Sequence, residues 1–308
     1  SRWGLGLPIS FALSANPLHL HGTLDFRPGS MVGSAQAPLN TPPPCCPAGA
    51  EPRLITDYAP RGEMVQVGDL PAYVAHPAGT TTRAVVMFSD MFGVHTGRHK
   101  ELCDQLADQG FFVACPDFFV GNSYLKNNPA SGTSACCVLE FICKILTGAM
   151  KKKTRSHAWD LSMRHKVMET LLPWMKQQGA QQFASLGFCW GGYGAMKCGA
   201  SPDFRCCATF HPSVDGFCKG TGEDDLQICR ELKCPVMVVA TKQDAWKPGS
   251  AAEVACQEAV PGQVQFRFQE GLNHGYMTRA EVRNNPAAAD GVRRGLEEFV
   301  QLARHSMP

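Results

Sequence analysis

One cysteine of this chain sits where a thiol would be made into a nucleophile. Cys189 is centred in Gly187-Phe188-Cys189-Trp190-Gly191-Gly192, after an apolar run and before a stretch of small residues. A strand that turns sharply into a helix needs glycine two places before and after the apex, because side chains there would strike neighbouring backbone. Such a turn lifts the sulfur clear of the sheet and sets it at a helix N-terminus, whose partial positive charge favours thiolate. A thiol so placed needs a base, and the base needs an acid to orient it. Asp244 follows the apolar run Pro235–Ala240, and His274 follows Val264–Phe268. Together these residue types perform acyl transfer. His274 takes the thiol proton, Asp244 fixes its tautomer, and Cys189 attacks a carbonyl carbon to give an acyl-enzyme that water hydrolyses. The oxyanion formed on the way calls for donors fixed in advance, which the backbone N–H groups of Trp190 and Met91 would supply. Singly, each residue has a plainer reading: a cysteine between packing glycines, a turn-forming aspartate, a loop histidine. Their joint position past strand ends argues for a site.

The elements that must position them alternate. Strands are expected from Met64 to Ala75 (two, with a turn at Gly68-Asp69), and at Arg83–Ser89, Phe111–Cys115, Phe183–Phe188, Phe204–Phe210, Pro235–Ala240 and Val264–Phe268. Helices are expected at Arg98–Gln109, with Leu102, Cys103, Leu106 and Ala107 on one face, and at Gly192–Ala200, Asp224–Leu232 and Gly249–Val260. Ala287–Ala303 presents Val292, Leu296, Phe299 and Val300 on one face, and His157–Gln178 carries Leu161, Val167, Leu171 and Leu172 in a helical stretch that Pro173 kinks. Strand alternating with helix predicts an α/β fold: a mostly parallel sheet with helices on both faces and its chemistry beyond the carboxyl ends of the strands. The order nucleophile, acid, histidine is the one used by the α/β-hydrolase fold. Residues 121–156 break the rhythm and read as an insertion or cap, with a helix at Cys136–Leu146.

Composition narrows the partners. Across 308 residues, 29 basic and 27 acidic side chains leave a net charge of +2, which offers no electrostatic reason to gather nucleic acid. No uninterrupted apolar run is long enough to cross a membrane. Fifteen cysteines without a C-x-x-C, and no zinc-type cluster with the ten histidines, make a metal site unexpected. They read as small buried hydrophobes in a reducing compartment, so a cytoplasmic location is expected. Residues 1–44, rich in Ser, Gly and Pro, read as a disordered tail, with a plastid or mitochondrial transit segment as the alternative; the domain is expected from 45 to 308.

Several strings carry a resemblance. Cys45-Cys46-Pro47, GDLPAYV at 68–74, SDMFGV at 89–94, ACPDFF at 114–119, GFCWGG at 187–192, FHPS at 210–213, KQD at 242–244 and NHGY at 273–276 occur in the order seen in the dienelactone hydrolases (carboxymethylenebutenolidases), and the chain resembles their eukaryotic members. That resemblance implies the α/β-hydrolase fold, the Cys189–Asp244–His274 triad, no cofactor, and a small ester or lactone as substrate; a monomer or small homo-oligomer is expected. It implies that Asp90 holds the resting thiol in check, although bacterial members commonly have the longer Glu there. It also implies an arginine for a substrate carboxylate, with Arg279 the first candidate and Arg155 a weaker one. A family member that has lost catalysis and serves as a binding or redox-responsive protein is the alternative.

Overall fold

The structure is a computed structural model describing residues 49–51, 54, 56–120 and 156–308. The tail at 1–44, the helix at Cys136–Leu146 and Arg155 lie outside those residues, as does nearly all of the segment 121–156.

Eight strands form one sheet among the described residues. They are β1 (Glu63–Val67), β2 (Leu70–Ala75), β3 (Arg83–Phe88), β4 (Phe112–Pro116), β5 (Gln182–Phe188), β6 (Phe204–Phe210), β7 (Val236–Ala240) and β8 (Val264–Phe268). Their order across the sheet is β1-β2-β4-β3-β5-β6-β7-β8. The first two strands pair antiparallel, as do β2 and β4; every later pairing is parallel. This is the α/β-hydrolase architecture expected from the alternation of elements. Strand side chains alternate between two cores, as a pleat requires. Val86, Phe88, Val236 and Val238 point to one, Val85, Met87, Met237 and Val239 to the other.

Each core is closed by helices. On the second face lie α1 (His99–Asp108), with Leu102, Cys103, Leu106 and Ala107 buried, and the long C-terminal helix Pro286–Ser306, with Val292, Leu296, Phe299 and Val300 buried. The other face is covered by α2 (Leu172–Gln177), α3 (Gly191–Gly199), α5 (Asp225–Arg230) and α6 (Ala251–Ala259). Two helices were not expected from the sequence: α4 (Val214–Thr221) and the four-residue α7 (Tyr276–Arg279), so that the C-terminal helix is α8.

The stretch before α2 differs from expectation. Its turns at Trp159–Met163 and His165–Leu171 are π-helical. Pro173 has no N–H and its ring crowds the carbonyl a turn back, and wide turns upstream make room for it. Widening the turns rotates the inward face. Met163 and Val167 are fully buried, whereas Leu161, expected among the apolar positions, is 64% exposed. The Trp159 N–H donates to the Tyr193 hydroxyl at 2.8 Å, which ties this stretch to α3.

Candidate active site

The parallel registers align the C-terminal ends of four strands. Phe88 is paired with Gly187, Phe188 with Phe210, and Phe210 with Val239, so the residues after β3, β5, β6 and β7 meet at one rim. Cys189 stands at the apex of the β5–α3 turn with φ +54°, a left-handed conformation that few non-glycine residues adopt. The flanking glycines are needed for contact distance. A Cβ on Gly187 would lie 2.3 Å from the Gly191 carbonyl oxygen, and one on Gly191 would lie 2.4 Å from the carbonyl oxygens of both Phe88 and Ser89. The Cys189 N–H donates to the Phe210 carbonyl at 3.2 Å, and its own carbonyl accepts from the Ser213 and Gly192 N–H groups. Trp190 is the N-cap of α3, and Met91, buried, lies just beyond β3, the neighbour of β5. Both residues predicted to surround an oxyanion are thus at the rim.

Asp244 and His274 arrive from the loops after β7 and β8. His274 Nδ1 is 2.6 Å from Asp244 Oδ1, with both side chains buried. Because a carboxylate only accepts, Nδ1 carries the proton and Nε2 offers its lone pair toward the rim. The other carboxylate oxygen, Oδ2, accepts from the Thr241 N–H at 2.6 Å and the Thr241 hydroxyl at 2.9 Å, which locks the turn that presents it. Gln243 fastens the two loops together. Its Oε1 accepts from the His274 N–H at 3.1 Å and its Nε2 donates to Asn273 Oδ1 at 2.9 Å. The short segment at 49–51 closes over the same loop: the Glu51 N–H donates to the His274 carbonyl at 2.7 Å and its carboxylate accepts from Asn273 Nδ2.

Ser213 lies between Cys189 and His274. Its hydroxyl is 3.5 Å from Cys189 Sγ and 3.5 Å from His274 Nε2. Beside it, His211 is fully buried at φ +41°, its ring centroid 5.0 Å from that of His274. Burial first, and then the neighbouring His274, push the His211 imidazole well below the ordinary histidine range, so it is neutral. The sequence reading missed both residues, although the FHPS string holding them was in view; a serine two places after a loop histidine looks like turn chemistry.

Asp90 and Arg279 are also brought to the rim. Asp90 is fully buried; its carboxylate accepts from the Phe92 N–H at 2.9 Å and the Thr278 hydroxyl at 2.8 Å, and lies 3.6 Å from Arg279 Nε. Arg279 is 2% exposed, with its guanidinium 4.8 Å above the Phe92 ring. Gly275 makes this possible, since a Cβ there would meet the guanidinium at 2.3 Å. Aromatic rings pack around the residue after Cys189. Trp190 lies 4.9 Å from Phe119, 5.9 Å from Phe118 and 6.0 Å from Phe217, centroid to centroid. Among the described residues no cluster of His, Cys, Asp or Glu could hold a metal ion, and no helix is long and apolar enough to cross a membrane.

Known proteins resemble the chain over this region. A "Carboxymethylenebutenolidase homolog" of Xenopus tropicalis is 27% identical over 148 residues, which is 48% of this chain and about half, 53%, of the relative. The human protein of the same description is 27% identical over 266 residues, 83% of this chain and 96% of the relative. A crystal structure described as a putative dienelactone hydrolase from Klebsiella pneumoniae superposes with TM-score 0.56 at 17% identity, covering 79% of this chain and all of the other, and so shares the fold. The profile of the Dienelactone hydrolase family matches residues 70–303. That span runs from the first residue of β2 into α8 and holds the cysteine turn and the Asp244 and His274 loops, and the chain belongs to this family of hydrolases.

Proposed function

We propose that this chain is a cysteine-dependent hydrolase that opens small lactones or esters, of dienelactone type, through an acyl-enzyme on Cys189. The observation that carries the reading is the buried line of contacts from Asp244 through His274 and Ser213 to the Cys189 sulfur at the rim. In this reading His274 takes the thiol proton, Asp244 stabilises the imidazolium, and the Trp190 and Met91 N–H groups receive the oxyanion. Each such donor lowers the barrier by about 3 kcal/mol. Asp90 restrains the resting thiol, and Arg279 receives a substrate carboxylate, which competes there with Asp90 for the guanidinium. The aromatic rings packed around Trp190, next to Cys189, favour an apolar or conjugated substrate body. The unit proposed to act is 45–308, with 121–156 as its cap, as a monomer or small homo-oligomer in the cytoplasm.

A redox-responsive binding role fits less well. Burial pushes the Cys198 thiol well up and the Cys206 thiol up to about 12, which leaves them as thiols rather than reactive thiolates. The test is turnover of a panel of lactones and short-acyl p-nitrophenyl esters by the parent, Cys189→Ala and Cys189→Ser proteins. Loss of at least about a thousandfold in kcat/KM with unchanged circular dichroism is expected. Undiminished turnover by Cys189→Ala would overturn the reading.

A further inference from the structure

Ser213 occupies a position where a serine ordinarily does something else. It is the N-cap of α4, and a serine there normally turns its hydroxyl back to accept from a backbone N–H of the first helical turn. Ser213 makes no such bond. Its hydroxyl instead lies 3.5 Å from both Cys189 Sγ and His274 Nε2. The backbone builds this placement from two sides. The Ser213 N–H donates to the Cys189 carbonyl at 3.0 Å, and the His211 N–H donates to the Val239 carbonyl at 2.7 Å, anchoring the loop to β7. Both Cys189 and His211 hold left-handed backbone to bring about the meeting. Backbone strain of this kind collects at functional sites, and here it flanks one contact.

We propose that the Ser213 hydroxyl is a catalytic residue, relaying the thiol proton to His274 and then holding the thiolate that remains. This rests on the reading of Cys189 as nucleophile and His274 as base. The tautomer sets the direction: Nδ1–H is committed to Asp244, so Nε2 accepts from the Ser213 hydroxyl while that oxygen accepts from the thiol. In the transfer the Cys189 S–H bond and the Ser213 O–H bond break. A new O–H bond forms on Ser213 from the thiol proton, and an N–H bond forms at Nε2. One proton has crossed, the hydroxyl is restored, and thiolate faces imidazolium with no oxidant or reductant involved. The new hydroxyl hydrogen then donates to sulfur. Among the described residues, the charged and titratable groups at this rim include His274 and Asp244 from the loops after β8 and β7, His211 from the loop after β6, and the Asp90–Arg279 pair. His211, held neutral by burial, adds no charge to them.

The experiment compares Ser213→Thr with Ser213→Val, side chains of nearly one shape that differ by the hydroxyl, together with Ser213→Ala. The rate of alkylation of Cys189 by iodoacetamide is followed against pH by mass spectrometry of its peptide, alongside p-nitrophenyl acetate turnover. A hydrogen bond to a charged group predicts that Val and Ala move the alkylation profile up by about one pH unit and lower kcat about tenfold with KM nearly unchanged, while Thr stays within about threefold of the parent. Profiles of Val and Ala that superimpose on the parent overturn the proposal, as does a Thr variant as impaired as Val. The Cys189→Ala protein separates the two failures. If it retains turnover, the reading of the nucleophile falls; if it is inert while Ser213→Ala is unimpaired, only the relay falls.

Discussion

Asp244 divides its two carboxylate oxygens between two tasks, one holding the histidine and one holding its own turn. Asp244→Asn keeps the shape but can present an N–H where the imidazole needs an acceptor, so the ring loses its tautomer. The expected outcome is a fall in kcat of about 10⁴-fold with little change in KM or in thermal unfolding, read by ester turnover and calorimetry. Gly191 fails differently. A methyl group there meets two carbonyl oxygens of the β3 end, backbone that cannot step aside, so Gly191→Ala should cost about 3 kcal/mol or more in urea unfolding. At this scale the sequence was legible where a residue's type was unusual for its place. A cysteine between glycines, an aspartate and a histidine past strand ends all met that condition, and the structure brings the last two within 2.6 Å of each other. Ser213 did not meet it, because its significance lies in where a hydroxyl points, which follows from the left-handed backbone of its neighbours and leaves no mark in residue type.

Secondary structure was read most faithfully where periodicity is strong and least where helical turns change width. Strand positions agree with the apolar runs to within a residue or so, since a buried parallel strand needs an unbroken β-branched or aromatic stretch. Helix α4 was missed because Gly216 and Gly220 depress its propensity, and it is held by packing of Val214, Phe217 and Cys218 instead. The π-turns before Pro173 supply a sharp test of the inward face. Leu161→Lys should change unfolding free energy by no more than about 0.5 kcal/mol, whereas Met163→Ala, which empties a fully buried site, should cost about 2–5 kcal/mol. Equal effects of the two changes in chemical denaturation would show that the wide turns do not set the phase.

At the scale of the whole molecule, burying an imidazole beside the site carries an electrostatic cost that grows in acid. His211 is held neutral inside, with its folded pKa depressed below that of the unfolded chain, so the unfolded state binds the extra proton as pH falls. Its contribution to stability is therefore intact above the ordinary histidine pKa, about 6.5, and is lost progressively below it. His211→Asn, whose side chain tolerates left-handed backbone, should flatten the decline of unfolding free energy between about pH 6.5 and pH 4.5 relative to the parent, as measured by urea titration at each pH. An unchanged slope would mean that other groups govern acid unfolding. The fold brings this histidine, the Cys189 thiol and the loops of Asp244 and His274 to one rim because six strands run the same way in register. One fastening comes from elsewhere: the strap at 49–51 grips the loop bearing His274 through the Glu51 amide and carboxylate. A chain shortened past Glu51 forfeits that grip while keeping every strand, so its unfolding free energy should barely change even as ester turnover falls with the loosened imidazole.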